Sequence, residues 1–156
     1  MKPVRFETIG PLVIAGLSGH HASGNAGATI APQWMRFAPW LGKVPGQVGE
    51  ISYGVSTNCN DAGFDYLCGV PVSDAAAVAA PLTTVTIPAY RYAVFEHQGH
   101  VSTFTQTLDA IFASWVPQTG GGRLADVLMF ERYDQRFDAA SGMGLIEIWI
   151  PAGGAA

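Results

Sequence analysis

The feature that most constrains this 156-residue chain is a set of landmarks that recur eighty positions apart. Gly19-His20 returns as Gly99-His100, Tyr53 as Tyr133, and Val70-Pro71 as Ile150-Pro151. The strand-like segment from Phe64 to Pro71 falls on the segment from Gly144 to Pro151. Identities are few, but landmarks at turns and strand ends hold one offset, which points to an internal duplication. Coincidence in a Gly-rich chain is the competing account.

Each half then reads as strand–helix–strand–strand. The first has a strand around Leu12–Leu17, with an edge segment near Val4–Phe6, then a Gly/Ala/Ser loop from Ser18 to Ala28. A short helix follows within Ala31–Leu41, where Pro32 suits the first turn and Pro39 ends or kinks it. Strands at Ile51–Ser56 and Phe64–Pro71 flank a turn carrying Asn58, Asn60, Asp61 and Gly63. Ser73–Thr83 reads as an Ala-rich linker. In the second half a strand spans Tyr90–His97. Val101, Phe104, Leu108, Ile111, Phe112 and Trp115 then recur at three- and four-residue steps, one face of an amphipathic helix. Ser102 or Thr103 is its expected cap and Pro117 its stop. A loop from Gln118 to Arg123 leads to strands near Val127–Tyr133 and Leu145–Ile150, joined through Asp138–Gly142. The expectation is an α+β domain over 1–156: two repeat halves, approximately 1–72 and 84–151, with pseudo-twofold symmetry, a mostly antiparallel sheet and one main helix per half. Pockets favour module junctions, so a cleft between the halves is the expected ligand site.

Composition narrows the function. Hydrophobic residues at 49% and charged residues at only 13% exclude intrinsic disorder. A net charge of −4 with eight Lys and Arg lacks the cationic footprint that nucleic-acid backbones require, so direct nucleic-acid binding is not expected. The early apolar run from Leu12 to Leu17 is far short of the ~20 residues a bilayer crossing needs, and the N-terminus has no secretory pattern. Cys59 and Cys68 form no disulfide framework and read as reduced thiols of a cytoplasmic protein. P-loop, dinucleotide and Gly-x-Ser-x-Gly signatures are absent from the sequence, and no cofactor is expected. Of His20, His21, His97 and His100, the pair His20/His100 could meet on a twofold axis; exposed or capping roles are favoured over metal ligation.

The residue that most invites chemistry is Glu147. Alternation places Ile146, Ile148 and Ile150 on one strand face and Glu147 with Trp149 on the other. Glu147 is then either a solvated carboxylate beside a partly exposed Trp, or the carboxylate at the base of an aromatic cleft. In the second case desolvation raises its pKa and suits it to attract a cation or move a proton. Tyr133 shares a strand face with Glu131. Tyr133 and its repeat match Tyr53 are either core tyrosines or stacking faces for a planar ligand. Trp34, Phe37 and Trp40 cannot all point inward from so short a helix, so some of them line a cleft. Phe112 is the aromatic candidate on the second helix. Glu147, Trp149, Tyr133, Tyr53, Trp34, Phe37 and Phe112 form the expected ligand set, with Glu147 and Tyr133 the catalytic pair if the protein is an enzyme.

Several of these segments resemble a known family. The run from Tyr92 to Gly99, the amphipathic helix ending in Trp115, the run from Phe130 to Phe137 and the run from Glu147 to Pro151 are similar to the GyrI-like small-molecule-binding domain, the AraC-type effector-binding domain. The first half echoes it at Trp34–Phe37 and Tyr53–Val55. The resemblance implies a duplicated strand–helix–strand–strand fold and a cleft for aromatic, often cationic, compounds, with the family's acidic residue at Glu147 and its aromatic one at Tyr133. It also implies two alternatives: hydrolysis of cyclopropane-bearing genotoxins by a cleft carboxylate, and inhibition of DNA gyrase through protein contact. With no helix-turn-helix segment ahead of the domain, the expected form is a stand-alone binder, with gyrase or a regulator as a further partner.

Overall fold

The computed structural model describes residues 2–24, 26–116 and 127–152. Within them, β1 (Arg5–Ile9), β2 (Leu12–Ala22), α1 (Ala26–Phe37), β3 (Ser52–Asn60), β4 (Gly63–Pro71), β5 (Thr83–Ile87), β6 (Tyr90–His100), α2 (Phe104–Ala110), β7 (Val127–Tyr133), β8 (Phe137–Asp138) and β9 (Met143–Pro151) follow one another. The strands form one antiparallel sheet in the order β1-β6-β9-β7-β3-β4-β2-β5, with β8 added on β9. Strand–helix–strand–strand occurs twice, as β2-α1-β3-β4 and β6-α2-β7-β9. The β3–β7 ladder joins the two runs and sets Gly54 opposite Glu131.

The sheet has two different faces. On one, α1 packs on Ala15, Tyr66, Cys68 and Val70, and α2 on Ala93, Phe95, Met129, Ile148 and Ile150. The other face carries Ile14, Tyr53, Val55, Leu67, Val94, Phe130 and Trp149, and no helix among the described residues covers it. Ile14 and Val94 lie on strands near opposite ends of the sheet order yet belong to one cluster. The sheet therefore curls around this second core, its strand twist accumulating until the two ends meet over it. Each strand thus alternates between a helix-facing residue and an inward-facing one.

In α1 the stripe of Ile30, Gln33, Trp34 and Phe37 faces the sheet at three- and four-residue steps. Pro32 sits inside the helix rather than in its first turn. It is exposed, so the carbonyl left without an amide donor faces water. Gln33 is 1% exposed and ties three elements together. Its amide donates to Leu17 O and Tyr66 O at 2.8 Å each, and its Oε1 is 2.6 Å from His21 Nε2. Gly19 gives it room, since a Cβ there would lie 2.7 Å from Gln33 Oε1.

Several boundaries differ from the sequence reading. β2 continues through His20 and His21 to Ala22 because it pairs with β4 along its length, so the expected loop from Ser18 is mostly strand. β5 begins where the expected linker ends, in a stretch to which no element was assigned, and pairs with β2. Thr103 stands at the N-cap position of α2, as expected, but its side chain makes no capping hydrogen bond, and the side-chain cap belongs to His100 one turn earlier, whose ring accepts from Ser102 N ahead of a 3-10 turn, Val101–Thr103. It ends in a π turn, Ile111–Trp115. Pro117, the loop from Gln118 to Arg123 and residues 153–156 lie outside the described residues. No described helix is long and apolar enough to cross a membrane.

Candidate functional site

The helix-facing side of β7 carries a carboxylate the motif reading had passed over. Glu131, 5% exposed, lies among Tyr66 of β4, Tyr133 of its own strand and Trp34 of α1. Tyr66 reaches it by crossing β3 at Gly54. A Cβ at that position would overlap the Tyr66 hydroxyl and lie 3.0 Å from Glu131 Oε1, so only glycine leaves the passage open. Trp34 Nε1 donates to the Tyr66 hydroxyl at 3.1 Å. The Tyr66 hydroxyl donates to Glu131 Oε1 at 2.8 Å, and the Tyr133 hydroxyl donates to the same oxygen at 2.6 Å. Oε2 accepts no hydrogen bond from the described residues. The Trp34 and Tyr133 rings meet edge-on at 5.2 Å, and both are half-buried, so this pair is where the cluster reaches the surface.

No Lys, Arg or His among the described residues forms an ion pair with Glu131. Burial pushes its carboxyl up to about 7, and the hydrogen bonds from Tyr133 and Tyr66 only partly counter that. The same burial, with Glu131 close by, pushes the hydroxyls of Tyr66 and Tyr133 well above their ordinary value. This carboxyl can therefore exchange its proton near neutrality, and when ionised it is a dehydrated negative charge edged by aromatic rings.

Glu147 occupies the opposite face. It is 1% exposed, and its neighbours are guanidiniums. Oε1 accepts from Arg132 at 3.2 Å and Trp149 Nε1 at 3.1 Å, and Oε2 accepts from Arg5 at 2.9 Å and Arg136 at 3.2 Å. Burial alone would raise its pKa, but the hydrogen bonds and charge of Arg5, Trp149 and Arg136 outweigh it and hold the carboxyl below the ordinary range. The expectation of one wall carrying Glu147 with Tyr133 and Trp34 does not hold, because β7 and β9 turn these residues to opposite sides of the sheet. Asp134 also pairs with Arg132 and Arg136, and Arg136 lies 3.8 Å from Glu96. The cluster clamps the edge strand β1 and the β7–β8 connection onto β9.

The remaining expected residues separate in the same way. Trp149 stacks on Phe130 at 5.3 Å in the inner core, with Tyr53 on the other side of Phe130 at 5.9 Å. Phe37 is wholly buried under α1, and Phe112 is half-buried against the α2 core. Only Trp34 and Tyr133 of the expected set adjoin Glu131. The histidines do not meet. His20 is exposed and pairs with Asp65 at 2.9 Å, and His100 caps the turn before α2. His21 and His97 are buried and not exposed as expected, each ring held at both nitrogens. A separate groove of about 380 Å³ between β6 and α2 is lined by Glu96, His97, Gln98, Thr103, Gln106 and Thr107, and Glu131 takes no part in it.

The fold and the aromatic-edged carboxylate define an α+β small-molecule-binding domain. A family model described as GyrI-like small molecule binding domain matches residues 2–152, and the chain belongs to that family. The transcriptional regulator BrlR of Pseudomonas aeruginosa is 33% identical over 112 residues, which cover 71% of this chain and 41% of BrlR. The match thus spans about two-fifths of the length of that curated relative. Among solved structures, SAV2435 bound to tetraphenylphosphonium superposes with a TM-score of 0.76 at 23% identity, covering 99% of this chain and 95% of SAV2435. The EcmrR C-terminal domain superposes with a TM-score of 0.63 at 14% identity, covering 97% of each chain. At these identities the likeness is one of fold.

Proposed function

We propose that this chain binds hydrophobic cations and aromatic compounds against Glu131, at the seam where the β2-α1-β3-β4 and β6-α2-β7-β9 runs join through β3 and β7. The runs are read as two copies of one unit, halves of a single domain about a pseudo-twofold axis. The observation that carries the reading is a buried carboxylate with no cationic partner among the described residues, bonded only by two tyrosine hydroxyls beside Trp34. A carboxylate so placed is costly when ionised, by several kcal/mol in order of magnitude. A large cation with spread charge offsets that cost, and aromatic faces bind it further through their quadrupoles. A neighbour of the same fold holds tetraphenylphosphonium, a ligand of this class. Glu147 takes no part, because both of its oxygens already accept from arginines or Trp149.

Titration with tetraphenylphosphonium, followed by tryptophan fluorescence at pH 8, tests this. Glu131→Gln is expected to weaken binding by about tenfold or more, the effect of removing one charge interaction of roughly 1.4 kcal/mol. Glu147→Gln should leave the affinity of folded protein unchanged. Equal affinity in wild type and Glu131→Gln would overturn the assignment.

A further inference from the structure

Resting on that reading of Glu131, we propose that the same site takes a second class of ligand: neutral aromatic compounds bearing a strong hydrogen-bond acceptor, such as a phosphine oxide, a carbonyl or an N-oxide, held by Glu131 in its protonated form. The Tyr66 hydroxyl accepts from Trp34 Nε1, so its own hydrogen goes to Glu131 Oε1. Tyr133 supplies a second donor to that oxygen. Two donors use both lone-pair directions of Oε1. A proton taken up by the carboxyl therefore sits on Oε2, which has no partner among the described residues. There it is a donor at the edge of the cluster that reaches the surface, since no fully buried side-chain oxygen or nitrogen among the described residues lacks a hydrogen-bond partner, and water is its acceptor. A ligand oxygen beside Oε2 takes the place of that water as the aromatic body of the ligand covers the edge, whereas an apolar cation would cover the protonated acid and leave its donor without an acceptor, at a cost of about 1–3 kcal/mol.

Among the described residues, the other titratable groups packed at the site are two tyrosines and a thiol, with the His21 ring edge-on to Tyr66 at 5.9 Å and held by Thr29 and Gln33. From β4 come Tyr66 and Cys68, from β7 Tyr133, and from α1 Trp34, with Arg36 acting on the Cys68 thiol. Gly54 of β3 brings no side chain. Burial holds both tyrosines above their ordinary value and the Cys68 thiol at about 11, so all three stay protonated while Glu131 exchanges its proton near 7. The two ligand classes are thereby sorted by one proton.

Three probes of nearly one shape separate the contributions: methyltriphenylphosphonium (a cation without an acceptor), triphenylphosphine oxide (neutral, with an acceptor) and 1,1,1-triphenylethane (neutral, without one). Calorimetric titrations at pH 5.5 and 8.5 are expected to show the phosphine oxide binding up to about thirtyfold tighter at the lower pH, following the protonated fraction of a group with pKa of about 7. The phosphonium should show the reverse and triphenylethane no change. In Glu131→Gln the phosphine oxide should bind equally at both pH values, since the amide is a permanent donor, and the phosphonium should weaken. Titrations of the wild type in two buffers of different ionisation enthalpy give the proton count without any variant. Near pH 8 the phosphine oxide should take up close to one proton, and near pH 6 the phosphonium should release close to one. If the phosphine oxide behaves like triphenylethane, or binds without proton uptake, while the phosphonium still depends on Glu131, the second ligand class is wrong and the site stands. If the phosphonium ignores Glu131→Gln and releases no proton, the reading of the site itself fails.

Discussion

Glu131 and Glu147 stand on neighbouring strands, at 5% and 1% exposure, and the sheet turns them to opposite faces. Solvent exposure is nearly equal, but Glu147 lies shallower, beneath guanidiniums that are themselves partly exposed, and one carboxyl is pushed up to about 7 while the other is held below its ordinary range. The difference lies in what each face brings. Around Glu147 are Arg5, Arg132 and Arg136, and each oxygen accepts two hydrogen bonds. Around Glu131 are two hydroxyls aimed at one oxygen, with the other left unbonded by the described residues. A buried charge that is paired on every side fixes structure; one that is supported on a single side is available to a ligand or a proton. Solvent exposure therefore identifies neither role, and the chemistry of the neighbours identifies both.

The comparison breaks most visibly at Glu147. Glu147→Gln keeps the shape but turns an NH2 toward three guanidiniums and removes their counter-charge. Removing one member of a buried ion pair costs about 3–5 kcal/mol, and the partial exposure of the three arginines places this case near the lower end, at about 3 kcal/mol. Urea denaturation at pH 7 reads it directly, and a loss below about 1 kcal/mol would mean that the cluster does not clamp β1 to β9. Gly54→Ala strikes the other face. Its methyl group would overlap the Tyr66 hydroxyl, and Tyr66 is wholly buried and has no room to swing away. Overpacking of this kind costs about 1–3 kcal/mol, with a value near 2 expected here. The same variant should weaken tetraphenylphosphonium binding, because it separates Tyr66 from Glu131. Unchanged stability and unchanged affinity together would show that the passage over β3 is not needed.

Much of this molecule was legible in the order of its residues, and the failures have a common cause. The α+β class and the antiparallel pairing followed from local signals: turn residues after β3, three- and four-residue spacing in the second helix, and alternation in β9. The alternation in β9 was read correctly, with the three isoleucines on one face and Glu147 with Trp149 on the other. Which of those faces the helices cover is a tertiary fact that no local period reveals, and on it the role assigned to Glu147 turned. Ser18–Ala22 carries weak strand formers, and pairing with β4 makes it strand regardless. Glu131 was visible as a residue sharing a face with Tyr133. Its depth depends on Tyr66, 65 positions earlier in the chain, and on the missing side chain of Gly54. The usable signal was a glycine inside a strand beside a run of large residues, which marks a close approach from elsewhere in the fold.

The pH dependence of stability sharpens the contrast with the smallest effect of the set. A carboxyl with a raised folded pKa binds its proton more tightly in the native state than in the unfolded chain. Between the ordinary carboxyl value and about 7, the native state therefore holds more protons, and stability falls as pH rises through that window. For Glu131 the fall between pH 5 and pH 8 is about 2 kcal/mol. Glu147 has the opposite sign: its contribution is complete above the ordinary carboxyl value and is lost as pH falls through its depressed folded pKa. Urea midpoints for wild type and Glu131→Gln, measured from pH 5 to pH 8 at fixed ionic strength, isolate the first of these. The difference in stability between the two proteins should shift in favour of the variant by about 2 kcal/mol across that range, and a phosphonium present in excess should cancel the shift by pairing with the ionised carboxylate. Parallel curves for the two proteins would mean that Glu131 is as well compensated as Glu147, and the distinction between the two faces would collapse.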